Sequence, residues 1–331
     1  MSVSDSSARR RGGRSPLDFV DLGGDFGICH SVGVRSPGMS IQVVSWNVAK
    51  RHAPWRELVE MDVDVALLQE AGNYPADVAD RVDTGPPESW DSHRWNSDWW
   101  QGRFPRLFDR WSKIVKLSDH VDVEWYRQVS PIGWCADDEI AVSGIGTIAA
   151  ARVTPSSAEP FVVVSMHARW MGPHPSTKSK WTAGFPDGSA HRIISDLSAF
   201  IGDTDPASHR ILAAGDFNMS YGGLETEPQS LAVRERTVFD RMDALGLEFL
   251  GPQAPDGGRQ ADPTPFWLPS DTRNVPTFHS SQQTPEDAVN QLDYVFASRG
   301  FHEQVTVRAL NSPDEWGSSD HCRILIEIED D

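Results

Sequence analysis

The sequence has 331 residues, of which 39% are hydrophobic and 24% are charged, values typical of a globular protein with a substantial core. The formal net charge of −18 argues against sequence-independent clamping of a nucleic-acid backbone, which requires a basic stripe. A local basic groove and a cluster of carboxylates at a metal site are both compatible with this charge.

The location of the protein is predicted from its cysteines and its apolar runs. No run approaches the roughly 20 apolar residues that span a bilayer, and no apolar stretch follows the N-terminal arginines as in a secretory signal. The three cysteines, Cys29, Cys135 and Cys322, fit neither a disulfide framework nor a zinc site. We therefore predict reduced cysteines, no transmembrane segment and a cytoplasmic location.

The chain divides into a predicted tail and a predicted domain. Residues 1–38 are rich in Ser, Gly and Arg without sustained periodicity, which indicates a flexible tail, and residues 39–331 are assigned to one domain. Helices are predicted at residues 54–61, 190–201 and 233–245. Strands are predicted at residues 41–48, 63–70, 140–153, 160–170, 209–218, 275–280, 291–298, 304–310 and 322–329. This mixture predicts an α/β (α+β) fold with two packed sheets and helices outside them.

Residues 85–135 are irregular and rich in tryptophan, which we interpret as an insertion in the domain. Large aromatic side chains would pack such an insertion against the sheets. Exposed indoles would instead stack on the bases of single-stranded nucleic acid or lie at a membrane interface, and the sequence leaves these alternatives open. The tryptophans of this segment are Trp90, Trp95, Trp99, Trp100, Trp111, Trp125 and Trp134.

Polar residues of the types found in active sites stand where six of the predicted strands end or begin. Each alone is explained by a turn or a helix cap, but together they predict a cleft, because ligands bind at strand ends in open sheets. A pocket rich in carboxylate and amide oxygens suits a hard cation, Mg²⁺ or Mn²⁺. The residues are Asn47, Gln69, Glu70, His167, Asp216, Asn218, Asp293, Asp320 and His321.

The ordered blocks SWNV, LLQE, SMH, GDFN, QLDYVF and SSDH resemble those of the endonuclease/exonuclease/phosphatase superfamily, which includes pancreatic deoxyribonuclease. The resemblance covers residues 41–328. It implies a four-layer sandwich of two mixed β-sheets flanked by helices, with the active site at the strand ends. It also implies hydrolysis of a phosphoester bond with Mg²⁺ or Mn²⁺ as the cofactor.

The resemblance also implies a role for each matching residue. Glu70 would be the principal metal ligand, with Asn47 beside the metal and Asp320 as the second carboxylate near it. In the catalytic set, Asp216 would orient or deprotonate the attacking water, and Asn218 would hold that water or a phosphate oxygen. His321 and His167 would contact the phosphate. Asp293 would fix the tautomer of His321. Phe217 would face the core between Asp216 and Asn218.

The sequence departs from the family pattern at several positions. Ala49 stands where many apurinic-site members carry an acid, which favours a single metal. The block SSDHCR differs from the ending of the inositol polyphosphate 5-phosphatases, which makes a soluble inositol phosphate a less favoured substrate. The basic residues available for a groove are modest in number: Arg103, Arg106, Arg169, Lys178, Lys180 and Arg192.

The sequence therefore predicts a divalent-metal-dependent hydrolase of phosphoester bonds. The favoured hypothesis is a nuclease or phosphodiesterase acting on nucleic acid, and no obligate protein partner is evident. One alternative is the same chemistry on a phospholipid or a small phosphate ester. Another is a catalytically silent binding module on the same scaffold, which the intact set of acids, amides and imidazoles disfavours.

Overall fold

The computed structural model describes residues 40–91, 110–131, 133–156, 158–170, 172–178, 185–202, 205–225 and 231–329. The α-helices in these ranges are α1 (Ala53–Leu58), α2 (Asp187–Ile201) and α3 (Leu231–Ala244). The strands are β1 (Ile41–Asn47), β2 (Val65–Gln69), β3 (Lys113–Lys116), β4 (Val121–Trp125), β5 (Arg127–Val129), β6 (Glu139–Ala141), β7 (Ile148–Pro155), β8 (Phe161–His167), β9 (Ile211–Asp216), β10 (Leu247–Gly251), β11 (Asp293–Ser298), β12 (Val305–Leu310) and β13 (Arg323–Ile328). The predicted tail lies outside the described residues, so the boundary at residue 39 stays a prediction.

Two mixed β-sheets form the centre of the described structure, as predicted. A five-stranded sheet has the order β12-β13-β1-β2-β3, and a six-stranded sheet has the order β10-β11-β9-β8-β7-β4. Each contains one parallel pair, β1 with β2 and β8 with β9, and the other neighbours are antiparallel. Strands β5 and β6 form a small separate pair.

Successive residues of the central strands face different cores, which explains why these strands are apolar along their whole length. Val43 and Val163 face the core between the two sheets. Val44 faces a core that the first sheet shares with α1, and Val164 faces a core that the second sheet shares with α2 and α3. These layers agree with the predicted sandwich. Among the described helices, none is both long and apolar enough to cross a bilayer.

Several predicted elements need correction. Residues 140–153 are two strands, because a turn containing Gly146, with φ of 59°, separates β6 from β7. Residues 275–280 form only two isolated bridges, from Phe278 to Asn290 and to His321, and Pro276 has no N–H to donate to a ladder. Strand β10 and, inside the tryptophan-rich segment, strands β3, β4 and β5 were not predicted.

The described tryptophans of residues 85–135 mostly pack against the sheets. Trp111 is buried, and Trp125 packs on the core between the sheets while its Nε1 donates to the carbonyl of Ile114 over 3.0 Å. Trp90 lies beside Trp111, with ring centroids 6.1 Å apart. Trp134, by contrast, is fully exposed. These contacts favour the packing interpretation for this part of the segment, and Trp95, Trp99 and Trp100 lie outside the described residues.

Gly215 allows β9 to approach β8 closely just before the strand ends. A Cβ at Gly215 would lie 1.8 Å from the backbone carbonyl oxygen of Met166, and the φ of Gly215 is 156°. Two residues later, Phe217 is fully buried and stacks on Phe296 with ring centroids 5.6 Å apart. The prediction that Phe217 faces the core is therefore confirmed.

The buried carboxyl of Glu235 in α3 is expected to make the stability of the protein depend on pH. The carboxyl is buried, and burial raises its pKa from an ordinary 4.5 to about 7. The folded state therefore holds the proton more tightly than the unfolded chain, so this contribution to stability is lost as pH rises towards 7. We expect Glu235→Gln to match wild type in free energy of unfolding near pH 4.5 and to exceed it by up to about 3 kcal/mol above pH 7.

Urea unfolding of both proteins between pH 4.5 and 8 measures this difference. The exposed Glu303→Gln serves as the control for loss of one carboxylate, and we expect its difference from wild type to stay constant with pH. A constant difference for Glu235→Gln as well would contradict the prediction.

Candidate active site

The predicted site residues lie at one edge of the sheets, where β1, β2, β8 and β9 end. Asn47 is paired with Gln69 across the parallel strands β1 and β2, and His167 is paired with Asp216 across β8 and β9. Asp293 begins β11 directly opposite Asp216. Because both parallel pairs end at this edge, their terminal side chains converge on one region, while their chemical roles stay predictions.

Three of the loops that leave these strands contain non-glycine residues with positive φ. Ala49 and Lys50 follow β1 with φ of 50° and 57°, Glu70 follows β2 with φ of 48°, and Asn218 follows β9 with φ of 52°. The backbone N–H of Lys50 donates to the carbonyl of Glu70 over 2.8 Å, which links two of these loops. Such left-handed residues each cost on the order of 1–3 kcal/mol and cluster at functional sites.

The imidazole of His321 is buried and held in one orientation by Asp293. Nδ1 of His321 lies 2.8 Å from Oδ2 of Asp293, and the same oxygen accepts a hydrogen bond of 2.7 Å from the Thr277 hydroxyl. The indole Nε1 of Trp46 donates to the backbone carbonyl of His321 over 2.9 Å. Because Oδ2 of Asp293 accepts a hydrogen bond from the Nδ1–H of His321, it sets the ring orientation and leaves Nε2 directed towards Asp216, 3.9 Å away.

Asp216 lies at the centre of the site with one carboxylate oxygen between two imidazoles. Its Oδ2 is 3.9 Å from Nε2 of both His167 and His321. The same oxygen accepts hydrogen bonds from the side-chain amides of Asn47, over 2.9 Å, and Asn218, over 3.0 Å. Oδ1 accepts the backbone N–H of Asn218 over 2.8 Å. Since Asn47 belongs to the other sheet, its bond to Asp216 joins the two sheets at the site.

Burial and neighbouring charges shift the proton affinities in opposite directions. Burial raises the pKa of Asp216 to about 7. Burial alone would lower the pKa of His321, but Asp293 and Asp216 outweigh it and raise this pKa to about 9. The pKa of His167 is held well below its usual value by burial and then by the positive charge of Arg169. One imidazole is therefore cationic and the other neutral near pH 7.

The predicted metal ligands carry the oxygen atoms that a hard divalent cation prefers. The carboxylate of Glu70 forms an ion pair with Arg110, and Oδ2 of Asp320 lies 3.4 Å from Nη2 of Arg51. Burial lowers the pKa of Arg110 while the charge of Asp320 opposes that shift, so Arg110 lies within electrostatic range of both carboxylates. Asn47 is buried at the end of β1, opposite Gln69, the residue before Glu70, and its backbone carbonyl accepts a hydrogen bond from Ser319, the residue before Asp320. The donor set therefore fits Mg²⁺ or Mn²⁺.

A second group of candidate donors lies deeper, in Asp216, Asp293 and His321, whose nearest donor atoms are all within 4.8 Å of one another. Nδ1 of His321 and Oδ2 of Asp293 already bond to each other. Two donor atoms of this buried group are therefore already engaged with each other, and the predicted ligands Glu70, Asn47 and Asp320 stay a separate candidate set.

Sequence reasoning missed several residues that support the site. The Thr277 hydroxyl positions Asp293, although its segment was predicted as a strand. The Ser319 hydroxyl donates to the backbone carbonyl of Asn47 over 2.6 Å, and its place in the block SSDH was the available signal. Arg110 pairs with a residue 40 positions away, and no local pattern indicates such a contact.

The basic residues predicted for a groove divide into three sets. Arg169 and Arg192 line a cavity beside Glu70 and His167. Lys178 is exposed on a loop. The remaining three, Arg103, Arg106 and Lys180, lie outside the described residues.

The sequence identifies the family. Residues 44–321 match the model of the Endonuclease/Exonuclease/phosphatase family, and the chain therefore belongs to it. Members of this family are hydrolases that act on phosphoesters and generally use divalent metals. No curated protein matches the chain in sequence.

Solved structures similar to this chain have the same fold at low sequence identity. The AP endonuclease LMAP from Leishmania major has a TM-score of 0.52 at 16% identity, with 90% of each chain covered. The endonuclease domain of TRAS1, a telomere-specific non-LTR retrotransposon, has a TM-score of 0.51 at 16% identity, covering 88% of this chain and 98% of its own. The Xenopus laevis APE2 catalytic domain has a TM-score of 0.51 at 16% identity, covering 87% and 92%. The predicted sandwich of two mixed sheets agrees with these folds.

Proposed function

We propose that the protein is a divalent-metal-dependent phosphodiesterase that acts on nucleic acid. The observation that carries this proposal is the position of Asp216, with one buried carboxylate oxygen 3.9 Å from the Nε2 atoms of two imidazoles. One of those imidazoles, His321, is bonded on its other side to Asp293. Family membership supports phosphoester hydrolysis, and the arrangement of acid, base and cation supports this more specific reaction.

In the proposed mechanism Asp216 accepts a proton from the attacking water. A carboxylate whose pKa is raised to about 7 by burial is a stronger base than an ordinary one and is still largely ionised at slightly alkaline pH. Asn218, whose side-chain amide bonds to Asp216, orients the water or a phosphate oxygen. In this proposal Asp216 is the general base of the reaction, in addition to accepting hydrogen bonds from Asn47 and Asn218.

The two imidazoles act on the phosphate in different protonation states. His321 is cationic, held by Asp293, and donates a hydrogen bond to the negative charge that develops on the phosphoryl oxygens. His167 is neutral and contacts a second oxygen through Nε2, which lies 3.7 Å from Oε1 of Glu70. The different surroundings of His321 and His167 thus give two imidazoles different protonation states and different roles.

Glu70, Asn47 and Asp320 are the residues that would hold Mg²⁺ or Mn²⁺ in this proposal. When bound, the ion would supply positive charge against the phosphoryl oxygens and the leaving oxygen. The carboxylates of Glu70 and Asp320 each contact a guanidinium group, which indicates that this part of the site attracts cations.

Nucleic acid is the favoured substrate for two reasons. Two of the proteins with a similar fold are named as an AP endonuclease and as the endonuclease domain of a retrotransposon. In addition, the indole of Trp170 is half exposed and donates to Oδ1 of Asn218 over 2.8 Å, so a flat aromatic surface lies beside the reaction centre. Bases stack on such surfaces.

The proposal is tested by a hydrolysis screen with Mg²⁺ and Mn²⁺. The substrates are plasmid DNA, apurinic duplex, RNA, sphingomyelin and bis-p-nitrophenyl phosphate. We expect cleavage of at least one nucleic acid, and we expect Asp216→Ala to lower the rate by about 10²–10⁴-fold, as for loss of a general base. The exposed helix carboxylate Asp240 provides a matched control, and Asp240→Ala is expected to keep the wild-type rate.

The other outcomes discriminate among the alternatives. Cleavage of sphingomyelin alone would move the substrate class to phospholipids, and cleavage of none would favour a binding module. Wild-type activity in Asp216→Ala would contradict the mechanism while leaving the family assignment intact.

A further inference from the structure

A cavity of about 510 Å³ opens beside the proposed reaction centre. Its size is within the range of small-molecule sites in proteins. The described residues that carry its charge and its aromatic surface are Glu70, Arg110, His167, Arg169, Trp170 and Arg192.

This cavity is cationic although the protein as a whole is strongly acidic, with a net charge of −18. Its lining includes three guanidinium groups and one carboxylate, and that carboxylate, Glu70, is paired with Arg110. Within the described ranges, neither Arg169 nor Arg192 forms an ion pair with a carboxylate. Burial raises the pKa of Asp196, one turn further along α2, and the charge of Arg192 partly opposes that rise, but the two side chains form no ion pair. The two positive charges at the cavity are therefore only partly offset by this part of the chain.

Arg169 is the more constrained of the two. Its guanidinium donates to the backbone carbonyl of Arg110, while its Nε is buried without a hydrogen-bond partner among the described residues. Burial, and then the charge of Arg110, lower the pKa of Arg169 to about 10. An anion in the cavity would offset the repulsion between the guanidinium groups of Arg110 and Arg169.

The cavity is continuous with the reaction centre along the chain and in space. Arg169 and Trp170 lie two and three residues after His167, which ends β8 and has its Nε2 3.9 Å from Oδ2 of Asp216. The indole of Trp170 is fixed by its hydrogen bond to Asn218 and remains 50% exposed. A substrate with its scissile phosphate between His167 and His321 would therefore place its neighbouring group against Trp170, Arg169 and Arg192.

We propose that this cavity binds a second phosphate of a nucleotide substrate, one that is not cleaved, through the guanidinium groups of Arg169 and Arg192. This inference rests on the proposed function, and it narrows the substrate class to nucleotides that carry a phosphate next to the scissile one. Arginine provides forked donors that match phosphate oxygens, and the Trp170 indole provides a stacking surface for the adjoining base.

Three dinucleotides with the same scissile bond test the inference: d(TpT), d(pTpT) and d(TpTp). We expect one of the two phosphorylated forms to have a kcat/KM at least about tenfold above that of d(TpT), mainly through a lower KM, the effect of one or two charge-assisted hydrogen bonds. Equal kcat/KM for all three would overturn the inference and leave the phosphodiesterase activity standing.

The variants assign the preference to the cavity. In Arg192→Gln, a change on the exposed side of α2, the ratio between the preferred phosphorylated form and d(TpT) is expected to fall to about threefold or less. Arg169→Lys, which keeps the positive charge but removes the forked donor, is expected to reduce the same ratio. Arg152→Gln removes an exposed arginine of β7 that does not line this cavity and is expected to keep the wild-type ratio. An unchanged ratio in both cavity variants would overturn the assignment.

Binding without hydrolysis separates this inference from the proposed function. Calorimetric titration of the three dinucleotides in EDTA measures the dissociation constants when no metal supports cleavage. Tighter binding of one phosphorylated form, lost in Arg192→Gln, would support the second phosphate site even if no dinucleotide were cleaved, an outcome that would reject the proposed function alone. Equal dissociation constants together with equal kcat/KM would reject the inference.

Discussion

His321→Ala is expected to lower kcat/KM for phosphodiester hydrolysis by about 10⁴-fold, the upper end of what one acid–base group contributes. The expectation is large because the side chain combines two features. It is the buried imidazole whose pKa is raised to about 9, and its Nε2 faces Asp216 at 3.9 Å. Removing it takes away the cation and leaves the buried carboxylate of Asp293 with the Thr277 hydroxyl but without its cationic partner. Steady-state kinetics on bis-p-nitrophenyl phosphate and on DNA measure the loss.

Two comparisons separate chemistry from folding in this experiment. His302→Ala, which removes an imidazole bonded to the carbonyl of Arg299 outside the site, is expected to keep the wild-type kcat/KM. Asp293→Asn keeps the size of the group that holds His321 and is expected to lower kcat with little change in KM. Retention of near-full activity in a folded His321→Ala protein would show that the reaction centre lies elsewhere.

Thr277 extends the same chain of contacts by one residue. Its hydroxyl donates to Oδ2 of Asp293 over 2.7 Å and accepts the backbone N–H groups of Leu292 and Asp293. Thr277 is a positioning residue in this arrangement, since it acts on His321 only through Asp293. Hydrogen bonds from Thr277 to Asp293 and between Asp293 and His321 therefore connect the segment of Thr277 to the proposed phosphate contact.

The sequence carries most of the information for the strand ends. Val43 and Val44 face different cores, so β1 is apolar along its length, and the change to a polar residue at Asn47 marks the point where the strand leaves the core. The same reasoning applies to β8 and β9, which end at His167 and Asp216. Parallel pairing then brings these ends to one edge, which is why local patterns were sufficient to predict the convergence.

Other features depend on contacts that no local pattern specifies. Residues 275–280 alternate in the manner of a strand, yet the polar groups of Thr277 bond to Asp293 and its neighbours. Strand β3 has lysines at both ends, and Lys113 is nevertheless buried, with Nζ donating to the carbonyl of Gly72 over 2.9 Å. A buried lysine does not resemble a strand residue in sequence, so β3 was missed.

The proposed metal site leads to the second large effect, in Glu70→Ala. We expect a loss of about 10³-fold or more in kcat/KM, because the principal carboxylate for the cation is removed and charge on the phosphoryl oxygens is no longer neutralised. For wild type, EDTA is expected to abolish activity, and Mg²⁺ or Mn²⁺ is expected to restore it. Glu70→Gln, which keeps the size of the side chain and an acceptor for Arg110, is expected to behave similarly in activity.

Thermal unfolding gives a readout that does not depend on turnover. A cation that binds only the folded state at about 100 times its dissociation constant stabilises it by about 2.7 kcal/mol, so we expect Mn²⁺ to raise the Tm of wild type. That rise should be largely absent in Glu70→Gln. It should be present in Glu248→Ala, which removes a carboxylate of β10 that pairs with Arg299. If Mn²⁺ raised the Tm of Glu70→Gln as much as that of wild type, the proposed metal site would be wrong. The cation would then be assigned to the buried group of Asp216, Asp293 and His321, the alternative set of donors within the described residues.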